Sequence, residues 1–290
     1  MNLFNVIEEI EKVDPEFTER VSPRRDVIKN MTGFGSKVAI AALPFALGSL
    51  LKKAYGATAS SSVIDVLNFA LTLEYLESYF YNQGTASKGL IPASDAKYID
   101  TITSDENEHV AFLQAVIKQL GGTAVTSPKF DLTAGNGSGK GPFSDVLSNY
   151  QTFLAVSQAF EDTGVRAYKG QAPNLLGNQV VLTAALSIHA VEARHASAVR
   201  QLRTYHGFAN VRPWITSTAT VGNDTGISLL DGNYAGENNI TQAGIDITTL
   251  PGATPTTKIT VASATGAFDE PLSKDQILAL LVGTFIVTAK

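Results

Sequence analysis

Two four-residue stretches, ENEH at residues 106–109 and EARH at residues 192–195, decide the fold of this chain. Each places a glutamate three residues before a histidine. Residues three apart share a face of an α-helix, so the carboxylate and the imidazole of each stretch can reach the same ion. Two further segments with helical periodicity each carry one glutamate among apolar residues, at Glu74 and Glu161. In chain order the pattern is Glu, Glu-x-x-His, Glu, Glu-x-x-His, which predicts four helices around one shared site.

The faces that carry these glutamates are apolar. Leu67 and Leu71 share the face of Glu74, and Val181 and Ile188 share that of Glu192. Ionised carboxylates without partners would cost several kcal/mol each in such an interior, and no comparable set of lysines or arginines lies on these faces. Two divalent cations would balance four carboxylates, and two imidazoles would complete the ligands. The predicted metal ligands are Glu74, Glu106, His109, Glu161, Glu192 and His195.

Helical periodicity places the four helices at about residues 62–83, 94–120, 145–169 and 178–205. Gly121 and Gly122 end the second helix, and Ser144 is the expected N-cap of the third. The loop from 121 to 143 is long enough to run from one end of a bundle to the other. The predicted fold class is therefore all-α, a four-helix bundle with a long crossover between helices 2 and 3.

Beyond residue 206 the sequence changes to short runs rich in Thr, Ile and Val, and we expect strands or extended loops at 245–250 and 258–262. A final helix begins at Ser273, which forms a capping box with Gln276, and continues through Phe285. We expect this helix to pack on the bundle, because its apolar run is about half of the roughly 20 residues that span a membrane. Residues 207–290 thus form a tail, and residues 60–206 form the bundle.

Residues 1–59 have the features of an export leader. Paired arginines at 24–25 precede an apolar run at 38–51, and the small residues at 57–59 suit a signal peptidase, which predicts a mature start near Ser60. These features predict export by the twin-arginine translocase and a periplasmic location. An uncleaved leader would instead anchor the protein in the membrane.

Composition excludes several classes of protein and site. The formal net charge is −5 and only 17% of residues are charged, so nucleic acid is not an expected partner. The chain contains no cysteine, which excludes disulfides, iron–sulfur clusters and thiolate ligands. Any metal must be held by Asp, Glu or His.

On these motifs the sequence resembles the ferritin-like di-iron superfamily, and more closely exported bacterial ferritin-like proteins related to plant desiccation-related proteins. The resemblance covers roughly residues 61–206 by motif and the tail by general character. It implies that Glu106 and Glu192 bridge two metal ions, iron or manganese. All six ligand positions are occupied by the residue types that the resemblance requires.

Several neighbours of the ligands have open roles. His189 could be an extra ligand, a hydrogen-bond partner of a ligand or a polar core residue. Glu77 and Tyr168 are candidates for contacts with the ligands, as are Asp162, Tyr75 and Tyr79, while Glu108 should be exposed. The glycine-rich run at 135–141 lacks the pattern of a phosphate-binding loop and is predicted to be a flexible loop.

The leading functional hypothesis is an oxidoreductase whose two metal ions react with dioxygen or hydrogen peroxide, as a ferroxidase, peroxidase or catalase-like enzyme. The alternative is a structural or stress-protective envelope protein that uses the bundle without redox turnover. Iron storage in a cage is disfavoured because the leader and tail would obstruct close subunit packing. A homo-oligomer smaller than a cage is compatible with the sequence.

Overall fold

The computed structural model describes residues 61–216, 225, 227–254 and 256–288. The predicted leader, residues 1–59, lies outside the described residues. Within the described ranges, no helix is both long enough and apolar enough to cross a membrane.

Four long helices form the body of the molecule: α1 Ser61–Ala86, α2 Ala96–Gln119, α3 Tyr150–Gln171 and α4 Gln179–Tyr205. Consecutive helices pair along their length, α1 with α2 and α3 with α4, while α2 and α4 touch only sparsely. The long connection between α2 and α3 is the predicted crossover. The all-α bundle is therefore confirmed.

The helix ends follow their capping residues. Gly121, at a φ of +78°, turns the chain after α2, as expected of a glycine. The side chain of Asn178 accepts a hydrogen bond from the Val181 N–H at the start of α4. The predicted start of α3 after Ser144 is wrong, because α3 begins at Tyr150 and its cap is Asn149, which accepts from the Gln151 N–H.

Helix α3 is buried on every side, since each residue from Phe153 to Tyr168 is buried. At one end of the bundle its aromatic rings pack with those of α1, where the rings of Phe80 and Phe153 stack with their centroids 4.6 Å apart. The ring of Phe160 packs edge-on to that of Phe285 in the tail, with the centroids 4.9 Å apart. The tail covers the side of α3 that the bundle leaves open. It does so with a 3-10 helix at Ser228–Tyr234 and the short helix α6 Lys274–Leu281, while a second short helix, α5 Val261–Thr265, contacts the 3-10 turn at Ile247–Thr249.

Buried arginines on α3 and α4 attach this tail. Arg166 donates to the backbone carbonyls of Asn233, Ala235 and Glu270 and forms an ion pair with Glu237. Arg203 donates to the Thr225 carbonyl at 2.8 Å. Carbonyl oxygens of the tail thus satisfy guanidinium groups that burial would otherwise leave without partners.

The tail contains less strand than expected. β1 Thr241–Gln242 and β2 Ile245–Asp246 form a two-residue antiparallel hairpin, and the chain then enters a 3-10 turn at Ile247–Thr249. The strand or extended loop expected at 258–262 is only partly present: Lys258 forms an antiparallel bridge with Pro251, but Val261 and Ala262 lie in α5, which the Thr260 side chain caps.

Helix α6 has the predicted capping box of Ser273 with Gln276. It ends at Leu281, four residues before Phe285, because the chain reverses at Gly283, whose φ is +82°. The segment beyond pairs with the crossover through a bridge between Phe130 and Ile286.

The glycine-rich run at 135–141 folds around the Asp131 carboxylate. This carboxylate accepts from the N–H groups of Gly137 at 2.9 Å and Gly139 at 3.0 Å. The backbone N–H groups of the run thus point to the Asp131 side chain, and the run forms a hydrogen-bonded turn of the crossover.

Candidate metal centre

The six predicted ligands converge in the middle of the bundle. Glu74 lies on α1, Glu106 and His109 on α2, Glu161 on α3, and the remaining pair, Glu192 and His195, on α4. All four glutamates are 0% exposed, and both histidines are buried. The structure therefore brings together every residue of the predicted set.

Two overlapping groups of four residues offer ligand atoms within 4.8 Å of one another. The first group is Glu74, Glu106, His109 and Glu192; the second is Glu106, Glu161, Glu192 and His195. Glu106 and Glu192 belong to both groups. This arrangement has the form of two adjacent sites with two shared carboxylates.

The imidazoles face these carboxylates through Nδ1. His109 Nδ1 lies 3.1 Å from Glu74 Oε2 and 3.3 Å from both Glu106 Oε2 and Glu192 Oε1. At the other end, His195 Nδ1 lies 2.8 Å from Glu106 Oε1. The two rings are 6.3 Å apart, so each histidine serves one of the two groups.

Several inward-facing atoms of the cluster lie close to one another but form no well-oriented hydrogen bond within the described part of the chain. They are Glu106 Oε1, Glu161 Oε2, both carboxylate oxygens of Glu192, and His195 Nδ1. Buried polar atoms are normally satisfied, and unsatisfied ones at such close range are the atoms that a metal ion would coordinate. The donor set, oxygen and imidazole nitrogen only, fits iron or manganese equally well.

The electrostatics without metal show how strongly the cluster requires positive charge. Burial, with the charges of Glu106 and Glu74, raises the pKa of Glu192 well above its ordinary value, and burial raises that of Glu106 to about 7. For His195, burial opposes the charged form, but the charge of Glu161 and hydrogen bonds to carboxylates prevail and raise its pKa to about 12. The cluster therefore favours added positive charge, from protons or from cations.

Two tyrosines donate to the outer carboxylates. The Tyr168 hydroxyl donates to Glu74, as the sequence position suggested, and the Tyr81 hydroxyl donates to Glu161. Sequence reasoning missed Tyr81. The available signal was its position seven residues after Glu74, two turns along the same face of α1.

Asp105 is a second residue that sequence reasoning missed. Its Oδ2 lies 3.1 Å from His195 Nε2, the ring nitrogen that points away from the cluster. This hydrogen bond fixes the ring orientation and lowers the pKa of Asp105. Asp105 borders an open cleft between α2 and α4 that is also lined by Lys97 and Arg194, so this end of the centre lies close to solvent.

Glu77 is a fifth buried carboxylate beside the cluster. Burial and the charge of Glu192 raise its pKa well above its ordinary value. Both carboxylates lie against Gly164 of α3, where an added β-carbon would be 2.8 Å from Glu192 Oε2 and 3.2 Å from Glu77 Oε1. A glycine in the middle of a helix is unfavourable, and its use here leaves room for the carboxylates.

The other candidate neighbours lie elsewhere. His189 is half-buried near the Val165 backbone of α3, and it belongs to neither group of four. The Tyr75 hydroxyl accepts a hydrogen bond from the Gln114 side chain and donates one to the Val125 carbonyl at the surface. Tyr79 is 40% exposed. Asp162 is buried but pairs with Arg200 at 2.5 Å and accepts from Tyr234. Glu108 is exposed, as predicted.

Residues 62–205 match the model of a family described as ferritin-like domain, and this range contains the four helices of the bundle except Ser61, together with all six clustered side chains. A search of curated proteins with this sequence finds no match.

Proposed function

With residues 62–205 as a ferritin-like domain, we propose that the six clustered side chains bind two ions of iron or manganese and that the protein is an oxidoreductase acting on dioxygen or hydrogen peroxide. The observation that supports this most directly is the sharing of Glu106 and Glu192 by two overlapping groups of ligands. A single cation would leave part of this buried carboxylate cluster without compensating charge.

The residues divide naturally between two ions. Glu74 and His109 would hold one ion, Glu161 and His195 would hold the other, and the shared glutamates would lie between them. Four ionised carboxylates then balance two divalent cations. When bound, two such ions would supply one-electron redox chemistry at each site, which suits the two-electron reduction of peroxide or the first two-electron step of dioxygen reduction.

The surrounding residues fix these ligands. The hydroxyls of Tyr81 and Tyr168 occupy one oxygen of Glu161 and Glu74, which leaves the other oxygen of each for metal. Asp105 holds His195 with Nδ1 directed inward. The aromatic layer of Phe80 and Phe153 closes one end of the bundle to water.

Metal analysis of natively purified protein tests the proposal. We expect two equivalents of iron or manganese per chain, with consumption of dioxygen or peroxide by the same sample. Glu106→Gln should lose both metal and activity, whereas Glu108→Gln, on the exposed face of the same helix, should retain both. A wild-type protein that binds neither iron nor manganese would refute the proposal. Bound metal with a raised melting temperature but no turnover would favour the stress-protective alternative.

We further propose that residues 1–59 direct export through the twin-arginine translocase. The proposal rests on the paired arginines and the apolar run that follows them. Arg24→Lys combined with Arg25→Lys should leave the protein in the cytoplasm, and fractionation would detect this. Export that continues unchanged in that variant would exclude the route.

A further inference from the structure

A small apolar cavity lies inside the bundle, on one side of the metal centre. Its lining residues precede Glu74 on α1, follow His109 on α2, follow Glu161 on α3 and precede Glu192 on α4. The cavity therefore lies between the centre and the end of the bundle at which α1 begins. The aromatic layer fills the opposite end.

The cavity reaches residues that adjoin the centre. Tyr168 lines it, and the hydroxyl of the same tyrosine donates to Glu74. Leu73, the residue before Glu74, also lines it. Tyr168 thus contacts both the cavity and the Glu74 end of the cluster.

The size and lining of the cavity restrict what it can hold. Its volume is about 20 Å³, slightly more than the 10–15 Å³ or so that one water molecule needs. The walls are almost entirely hydrocarbon, from residues such as Ala70, Leu113, Val181 and Ala185. Water needs two to four polar partners in a buried site, and an apolar cavity without them stays dry. The occupant that fits is a small apolar molecule.

We propose that this cavity binds dioxygen and delivers it to the Glu74 end of the metal centre. The inference rests on the proposed function and narrows it, because it selects dioxygen over hydrogen peroxide as the reactant on this side. Peroxide carries two O–H groups, which the hydrocarbon walls would leave without acceptors. The polar cleft beside Asp105 and His195 is the corresponding route for ions and polar molecules.

Dioxygen is paramagnetic, so its position can be read from the relaxation of methyl groups in NMR. The probe is dioxygen gas under pressure, applied to the full chain loaded with zinc, which is diamagnetic and redox-inert, and to the metal-free chain. We expect strong relaxation of the methyl groups of Leu113 and Ile188, which line the cavity, compared with those of Leu154 and Leu202 in the rest of the core.

A matched pair of variants on α4 tests the assignment. Val181→Ile adds one methylene to the cavity wall, whereas Val199→Ile makes the same change in the buried core beyond His195, outside the cavity. The first should lose the enhanced relaxation and the second should keep it. In the iron-loaded protein, Val181→Ile should raise the KM for dioxygen several-fold and leave peroxide kinetics unchanged. Val116→Ile, which fills the cavity from α2, serves if Val181→Ile fails to fold.

Relaxation that is equal at both ends of the bundle, or that survives Val181→Ile, would overturn the proposal. These outcomes are independent of the proposed function, since the NMR signal requires no redox metal. A chain that binds dioxygen in the cavity but no iron or manganese would refute the metal centre and the delivery to it, and would leave the binding of dioxygen in the cavity intact. A chain with metal and turnover but uniform relaxation would refute the cavity alone.

Discussion

Replacing Gly164 by alanine should weaken metal binding while stabilising the metal-free fold. The added methyl group would lie 2.8 Å from Glu192 Oε2, whereas ordinary contacts of a β-carbon begin near 3.4 Å. The end of the Glu192 side chain must therefore move by about half an ångström, which exceeds the tolerance of roughly 0.2 Å in metal–ligand distances. We expect a loss of about 10–100-fold in metal affinity, the range typical of disturbed ligand support.

The metal-free variant should respond in the opposite direction. Alanine in the middle of a helix is favoured over glycine by roughly 0.5–1 kcal/mol, and the flexible end of a glutamate can yield to the methyl group. That gain corresponds to a rise of about 1–4 °C in melting temperature for a chain of this size. Calorimetric titration with Mn²⁺ and thermal unfolding measure the two effects. Gly177→Ala, whose β-carbon would meet no atom within 4 Å, is the control. Unchanged affinity in Gly164→Ala would refute the placement of Glu192 as a shared ligand, and a lowered melting temperature without metal would refute the steric reasoning.

Three further perturbations have defined outcomes. Burial raises the pKa of Glu106 to about 7 and carboxylates raise that of His195 to about 12, so the metal-free fold holds protons that the unfolded chain releases at lower pH. The stability of the metal-free protein should therefore fall as pH rises from about 5 to about 9. Metal affinity should rise over the same range, because metal binding requires the loss of these protons. Melting temperatures of the metal-free protein that rise with pH would contradict this reasoning. Asp105→Asn should lower metal affinity about 10–100-fold by calorimetry, with Asp100→Asn on the exposed face of α2 unaffected. Arg166→Met should cost about 3–5 kcal/mol in denaturant unfolding and expose the tail to hydrogen exchange, and a loss below 1 kcal/mol or so would exclude its anchoring role.

The cluster of candidate ligands could be predicted because helical periodicity and the positions of the charged residues indicate the same inward face of each helix. A glutamate on an apolar helix face needs a cation, and a histidine three residues later indicates which face receives it. This reasoning located all six residues without knowledge of how the helices pack. The shared role of Glu106 and Glu192 came from the family resemblance alone, and the two residues do belong to both groups of four.

The tail could not be predicted in the same way. Arg166, Gln158 and Thr163 give α3 the polar positions of an exposed face, yet all three are buried. Their partners are largely groups from the distant tail, such as the Asn233 carbonyl and the Tyr234 hydroxyl. Neither local propensity nor hydrophobic pattern encodes a partner about 70 residues away, so burial of a polar face by a loop leaves no periodic signal.

Tyr81 and Asp105 illustrate a second limit. A tyrosine within an apolar helix is most often a packing residue, and an aspartate beside a ligand is most often solvated. Only the arrangement of the neighbouring helices brings Tyr81 to Glu161 and Asp105 to His195.

The sharing of carboxylates between the two groups also makes the bundle a pair of interdependent halves. The hairpin of α1 and α2 contributes three of the six side chains, and the hairpin of α3 and α4 contributes the other three. Each group of four contains three side chains from one hairpin and one shared glutamate from the other. Metal ions in these positions would clasp the hairpins together at their midpoints. If the chain were cut within the crossover, the apparent association constant of the two fragments should rise with the square of the free metal concentration. A chelator should then dissociate the two fragments.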